Sequence, residues 1–182
     1  MFLVLCLCLV HTATSSTAAQ SFLRNPTDGP PSEGGALSYA ASELEYRPGK
    51  SGDMMFGTTT ARLWNSRMFV AVDPKAPDGR NVVGYVEWSV AYPAPLCVQS
   101  ALSEKEKRGR VVYIMQVQVR KDWRNKKVGS MMLPRALEHI HWNWPSAVGV
   151  HLTVKRANKY AIKLYEKFNF THVGGENRSA LL

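Results

Sequence analysis

Cysteine is scarce in this chain, with three in 182 residues. Cys6 and Cys8 fall in an N-terminal apolar run and Cys97 stands alone in the body. A disulfide framework within one mature chain is therefore excluded, and no paired-cysteine zinc spacing exists. Histidine is nearly as thin: of five, only His139 and His141 are close, and two residues apart on a helix they point to different sides. No metal is expected. Acidic residues are also few, 14 against 23 Lys and Arg, for a net charge of +9. That balance suits a ligand with several phosphates, and equally nucleic acid or an acidic partner. No nucleic-acid module accompanies the charge, so nucleic acid is not the expected partner. There is no internal repeat, and the longest apolar run is too short to span a bilayer as a helix.

That run, residues 2–10, is followed by small residues, with Thr17-Ala18-Ala19 as a cleavage site. Residues 1–19 read as a signal peptide that lacks the usual positive n-region. Residues 20–53 carry Ser, Gly, Pro and Arg with few acids, the composition of a transit segment or flexible linker. The two together resemble the two-part presequence of plastids acquired by secondary endosymbiosis. Secretion and, with a mis-assigned start, a cytoplasmic protein are the alternatives. No membrane partner is expected of the mature form.

Residues 54–182 are then one domain, long enough to bury a core and 45% hydrophobic over the whole chain. Prolines and glycines before residue 53 argue against a packed element there, apart from a short helix over 38–45. A further helix is expected over 54–64. Residues 68–72 and 82–91 read as a hairpin, and 92–109 as a solvated loop. A strand over 111–119, a helix over 126–141, a strand over 148–154 and a helix over 157–168 follow. In the first helix Val128, Met132, Ala136 and Leu133, Leu137, Ile140 form the apolar rows, and Pro134 should bend it. Residues 170–173 and 179–182 close the fold as a hairpin. The order predicts an α/β (α+β) fold: a mixed, mostly antiparallel twisted sheet flanked by helices.

The stretch Gln116-Val-Gln-Val-Arg-Lys-Asp-Trp-Arg124-Asn-Lys-Lys-Val-Gly129-Ser130 is an apolar strand that turns across a basic bend into a helix. Such a junction leaves backbone N–H groups unpaired at a helix N-terminus, where the dipole favours negative charge. A diphosphate is the ligand it suits. Further on, Asn158 and Tyr165 lie two turns apart on one helix face, with Ala161 and Phe170 around them. Together these segments resemble motifs A and B of the GCN5-related N-acetyltransferase (GNAT) family. The resemblance departs at Lys127, where the family has Gly, and mildly at Asn169, where Asn is the best substitute for Gly in a left-handed helix terminus. Asn169-Phe-Thr171 and Asn177-Arg-Ser179 are taken as chance matches to the glycosylation sequon.

The resemblance implies acetyl-CoA as co-substrate. Amides of Asn125, Lys126, Lys127, Val128, Gly129 and Ser130, beside Arg124, would wrap its pyrophosphate, while Val117, Gln118 and Val119 pair with the pantetheine arm. Asn158 would contact that arm and Tyr165 would protonate the departing thiolate. A family glutamate five residues before the Asn falls on Thr153, which has no carboxylate. Glu87 is the candidate base in its place, with water or a solvent-facing Glu87 as alternatives. His151 has suitable chemistry, and a satisfied core histidine is its ordinary reading. The acceptor would be an amine of a protein (N-terminus or lysine) or a small amine. A non-catalytic acyl-CoA-binding module and a basic nucleic-acid binder are the competing classes.

Overall fold

The computed structural model describes residues 6–12, 41–54, 56 and 66–174. Seven strands form one sheet: β1 (Cys6–Thr12), β2 (Glu45–Pro48), β3 (Ser66–Val72), β4 (Val82–Ser89), β5 (Arg110–Val119), β6 (Ala147–Lys155) and β7 (Thr171–Gly174). Their order is β2-β3-β4-β5-β6-β1-β7. Every pairing is antiparallel except β5 with β6. Three complete α-helices accompany them among the described residues: α1 (Leu96–Ala101), α2 (Val128–Asn143) and α3 (Lys159–Lys167). The predicted mixed, mostly antiparallel sheet is what forms.

The parallel pair exists because α2 carries the chain from the end of β5 back across one face to the start of β6. Its apolar rows do this work: Val128, Met132, Leu133, Ala136 and Ile140 are buried. They meet Phe69, Val86, Trp88, Val112, Ile114, Val150 and Leu152 in the main core. At roughly 25 cal/mol per Å² of apolar surface, each such side chain contributes about 1.5–3 kcal/mol. Pro134 has no N–H to donate to Ser130, yet the helix runs on unbroken to Asn143. A smaller cluster of Met68, Val70, Val72, Val82 and Tyr85 lies on the opposite face.

Two expectations need correction. The domain does not begin at residue 54. Glu45–Pro48 pairs with β3, and Ala41 and Leu44 are buried against the main core. Pro48 is tolerated because β2 is an edge strand, where a missing ladder donor costs little. Residues 92–109 are not all loop either, since they hold α1, whose Val98 is fully buried beside Val111 and Val173. Residues 6–12, within the expected leader, are paired as a strand to β6 and β7. An unbroken apolar run suits a strand with neighbours on both edges. The expected helix over 54–64 and the strand over 179–182 lie almost wholly outside the described residues. No helix among the described residues is long and apolar enough to cross a membrane.

Candidate active site

The parallel ladder between β5 and β6 ends at Ile114 and Leu152, although β5 continues to Val119 and β6 to Lys155. The two strands therefore part company half-way along. A β-bulge sits at the same place: Glu87 faces Gln116 while Trp88 faces Ile114, leaving Met115 as the extra residue of β5. Bulges of this kind shift which side chains face which way. Tyr113 before the bulge and Gln116 and Gln118 after it consequently share the face opposite α2.

Past the bulge, β5 stays paired to β4, and the Arg120 N–H donates to the Val83 carbonyl at 2.8 Å. Backbone groups of a strand alternate in direction. The N–H and C=O of Val117 and Val119 therefore point into the gap. The Arg124 Nε donates to the Val119 carbonyl at 3.2 Å, which fastens the bend to the end of the strand. What remains is an open strand edge about three residues long that an extended ligand arm can complete.

The gap leads straight to the N-terminus of α2. Its N-cap, Lys127, makes no side-chain capping bond. None of the backbone N–H groups from Asn125 to Ser130 makes a well-formed hydrogen bond to another described residue. Unsatisfied amides at a helix dipole form an anion site. The surrounding cations are partly engaged: Arg120 grips Asp122 through Nε and Nη2 at 2.8 and 3.0 Å, and the Lys126 ammonium lies 5.2 Å from the Trp123 ring centroid. The guanidinium holds the Asp122 carboxyl below its ordinary pKa. Lys121 and Lys127 have no ion pair among the described residues.

Asn125 and Lys127 are both left-handed, with φ of 61° and 60°. Asn tolerates this; Lys costs about 1–2 kcal/mol there. Lys127 thus holds the conformation for which the family's Gly is suited. Lys127→Gly should raise stability by roughly 0.5–1 kcal/mol, the relieved strain being partly offset by a freer unfolded chain. Urea unfolding checks this, and a loss of stability would show that the Lys side chain makes a contact worth more than the strain.

Asn158 caps α3, its side chain accepting from the Ala161 N–H at 3.2 Å. Tyr165, two turns on, is only 7% exposed, packs 5.7 Å from Phe170, and makes no hydrogen bond through its hydroxyl among the described residues. Burial pushes that hydroxyl up to about 12. Gly129 sits where α2 and α3 approach, since a Cβ there would lie 3.3 Å from Leu164 Cδ2.

Glu87 is half-buried on β4, between Val86 and Trp88 of the main core, so its side chain faces away from α2. Beside it the Tyr85 hydroxyl donates to Gln116 Oε1 at 2.8 Å, and Gln118 Nε2 donates to the same oxygen at 3.0 Å. Burial first, and the Glu87 charge second, raise the Tyr85 pKa. Glu87 and Tyr165 therefore lie on opposite faces of the sheet, joined only through the gap.

Sequence reasoning passed over a pair at the head of that gap. His151 stacks on Tyr113, with centroids 4.8 Å apart and planes at 19°. It is 2% exposed, yet neither ring nitrogen has a hydrogen-bond partner among the described residues. A satisfied core histidine would have one. Burial lowers its pKa to about 4, so it is neutral at pH 7 and a weaker base than an ordinary imidazole. Among the described residues no group of three His, Cys, Asp or Glu is placed to hold a metal.

The same fold occurs in solved structures. Two structures of Arabidopsis thaliana NAA60 share the fold. One is in complex with acetyl-CoA (TM-score 0.56, 20% identity, 70% of this chain and 84% of that one). The other is in complex with a bisubstrate analogue (0.55, 21%, with the same coverage). Among curated proteins none matches the sequence. The model of the Acetyltransferase (GNAT) family matches residues 38–170. This chain belongs to that family of acetyltransferases.

Proposed function

We propose that the chain moves the acetyl group of acetyl-CoA to a primary amine, on a protein N-terminus or lysine or on a small amine. The observation that carries this reading is the opening between β5 and β6 that ends at the unpaired amides of Asn125–Ser130. Diphosphate at those amides and pantetheine along Val117–Val119 put the thioester near the bulge at Met115. An amide of β5 then polarises its carbonyl. Two faces meet there, and they divide the chemistry. Tyr165, from the α2 side, serves the departing sulfur. The amine approaches from the other side, where Gln116, Glu87 and the Tyr113–His151 pair line the opening. Glu87, directly or through water, is the first candidate to take the amine proton, and His151, a weaker base because it is buried, is the second. The complexes of NAA60 with acetyl-CoA and with a bisubstrate analogue support a cofactor and an acceptor meeting on one such sheet.

Calorimetry with acetyl-CoA, followed by transfer of labelled acetyl to a panel of peptides and small amines, tests the reading. Gly129→Phe should weaken acetyl-CoA at least about tenfold, because the ring has to displace Leu164 or enter the phosphate path. Unchanged affinity in a variant that still folds, by circular dichroism, would place the phosphates elsewhere.

A further inference from the structure

Past Tyr113, towards the start of β5, lies a cavity of about 410 Å³ between the segment after β4 and the segment before β5. Its walls include Val90, Tyr92, Gln99, Leu102, Lys107 and Arg110. Tyr92 meets Tyr113 edge-on at 6.0 Å, and Tyr113 stacks on His151. An aromatic path therefore connects this cavity with the head of the gap on the acceptor face.

The charged groups of the cavity wall are Lys107, which is paired, and Arg110. Residues 103–110 hold Lys105, Lys107, Arg108 and Arg110 against Glu104 and Glu106. Glu104 pairs with Lys107. The Glu106 carboxylate accepts from the Ser103 N–H and hydroxyl at 2.8 and 2.6 Å, which lowers its pKa and faces it back into its own turn. Arg110 has no ion pair among the described residues. Its place is held by Gly109, where a Cβ would meet Val148 Cγ1 at 2.1 Å, so this backbone lies tight against the start of β6.

We propose that this cavity is a distal acceptor subsite, and that it selects peptides bearing acidic side chains downstream of the reacting amine. The proposal rests on the acetyl-transfer reading above, and it narrows the acceptor. Arg110 and Gln116 are six residues apart on β5, about 20 Å at roughly 3.3 Å per residue. An extended peptide with its amine at Gln116 puts its sixth to eighth residues beside Lys107 and Arg110. A small amine does not span that distance. Exposed charge pairs contribute modestly and are screened by salt, so the selection should be a matter of about tenfold.

Two fluorescent decapeptides with free N-termini, identical except for Asp or Lys at positions six to eight, test this by anisotropy on the CoA-saturated full chain. The Asp peptide should bind about tenfold tighter, less so in 0.5 M salt. Lys107→Glu with Arg110→Glu, both exposed, should abolish or invert the preference while calorimetric CoA affinity stays unchanged. Equal binding of the two peptides overturns the proposal. So does a preference that survives the double reversal, or the absence of binding by either peptide while CoA still binds. A chain that binds no CoA would instead fail the acetyl-transfer reading itself.

Discussion

Tyr165→Phe is expected to lower turnover by roughly 10²-fold while leaving acetyl-CoA affinity and folding almost unchanged. The ring keeps its packing against Phe170, and the lost hydroxyl breaks no hydrogen bond among the described residues. The expected size follows from how the hydroxyl acts. The sequence suggests an ordinary phenol near 10, well placed to protonate a thiolate of pKa about 8–9. Burial raises it to about 12. Complete transfer of its proton to a free thiolate would then be uphill by about three units, or roughly 4 kcal/mol. What the hydroxyl supplies instead is a strong hydrogen bond to the sulfur as charge develops, worth about 1.5–3 kcal/mol. That range corresponds to roughly 10–100-fold. Being protonated throughout, the hydroxyl should give the same effect at every pH from 7 to 9. Steady-state turnover beside calorimetry checks it. A variant that turns over like the parent would make the hydroxyl structural and water the proton source.

The strand and helix windows were readable because periodicity survives into the fold. The helix expected over 126–141 is Val128–Asn143, and its apolar rows are buried apart from a half-buried Leu137. Asn169 is left-handed, with φ of 60°, as its place at a helix end suggested. The amides of Asn125–Ser130 were legible for the same reason: a strand, a basic bend and a helix start are written consecutively.

What was not legible depends on contacts between distant segments. β6 is buried on both faces for four residues running, Gly149 to Leu152, so it reads as a continuous apolar run with no alternation to orient it. The facing of His151, and its stack on Tyr113, exist only once β5 lies beside β6. The bulge at Met115 leaves no mark in composition, yet it decides that Gln116 joins Tyr113 on one face. α1 hides behind Pro93 and Pro95 with one fully buried residue, Val98, too little apolar content to outweigh its polar surroundings.

His151 carries the second large effect, and its sign can be worked out. An ordinary histidine titrates near 6.5, whereas burial lowers this one to about 4. Between those values the unfolded chain binds a proton that the folded chain refuses, so stability rises with pH. The contribution is complete above about 6.5 and is lost as pH falls to about 4. The shift of about 2.5 units corresponds to about 3 kcal/mol. His151→Phe keeps a flat ring against Tyr113 and removes the titration. Unfolding at pH 4, 5, 6 and 7 should show a steep fall for the parent and a shallower one for the variant. If the imidazole also takes the amine proton, turnover at pH 7.5 should drop by roughly 10²-fold with acetyl-CoA affinity intact. The two readouts are independent. A flattened stability curve with normal turnover would make His151 a buried spectator and return the base to Glu87 or water. Parallel curves for parent and variant would mean that the imidazole is hydrated in the folded protein and titrates as it does in water.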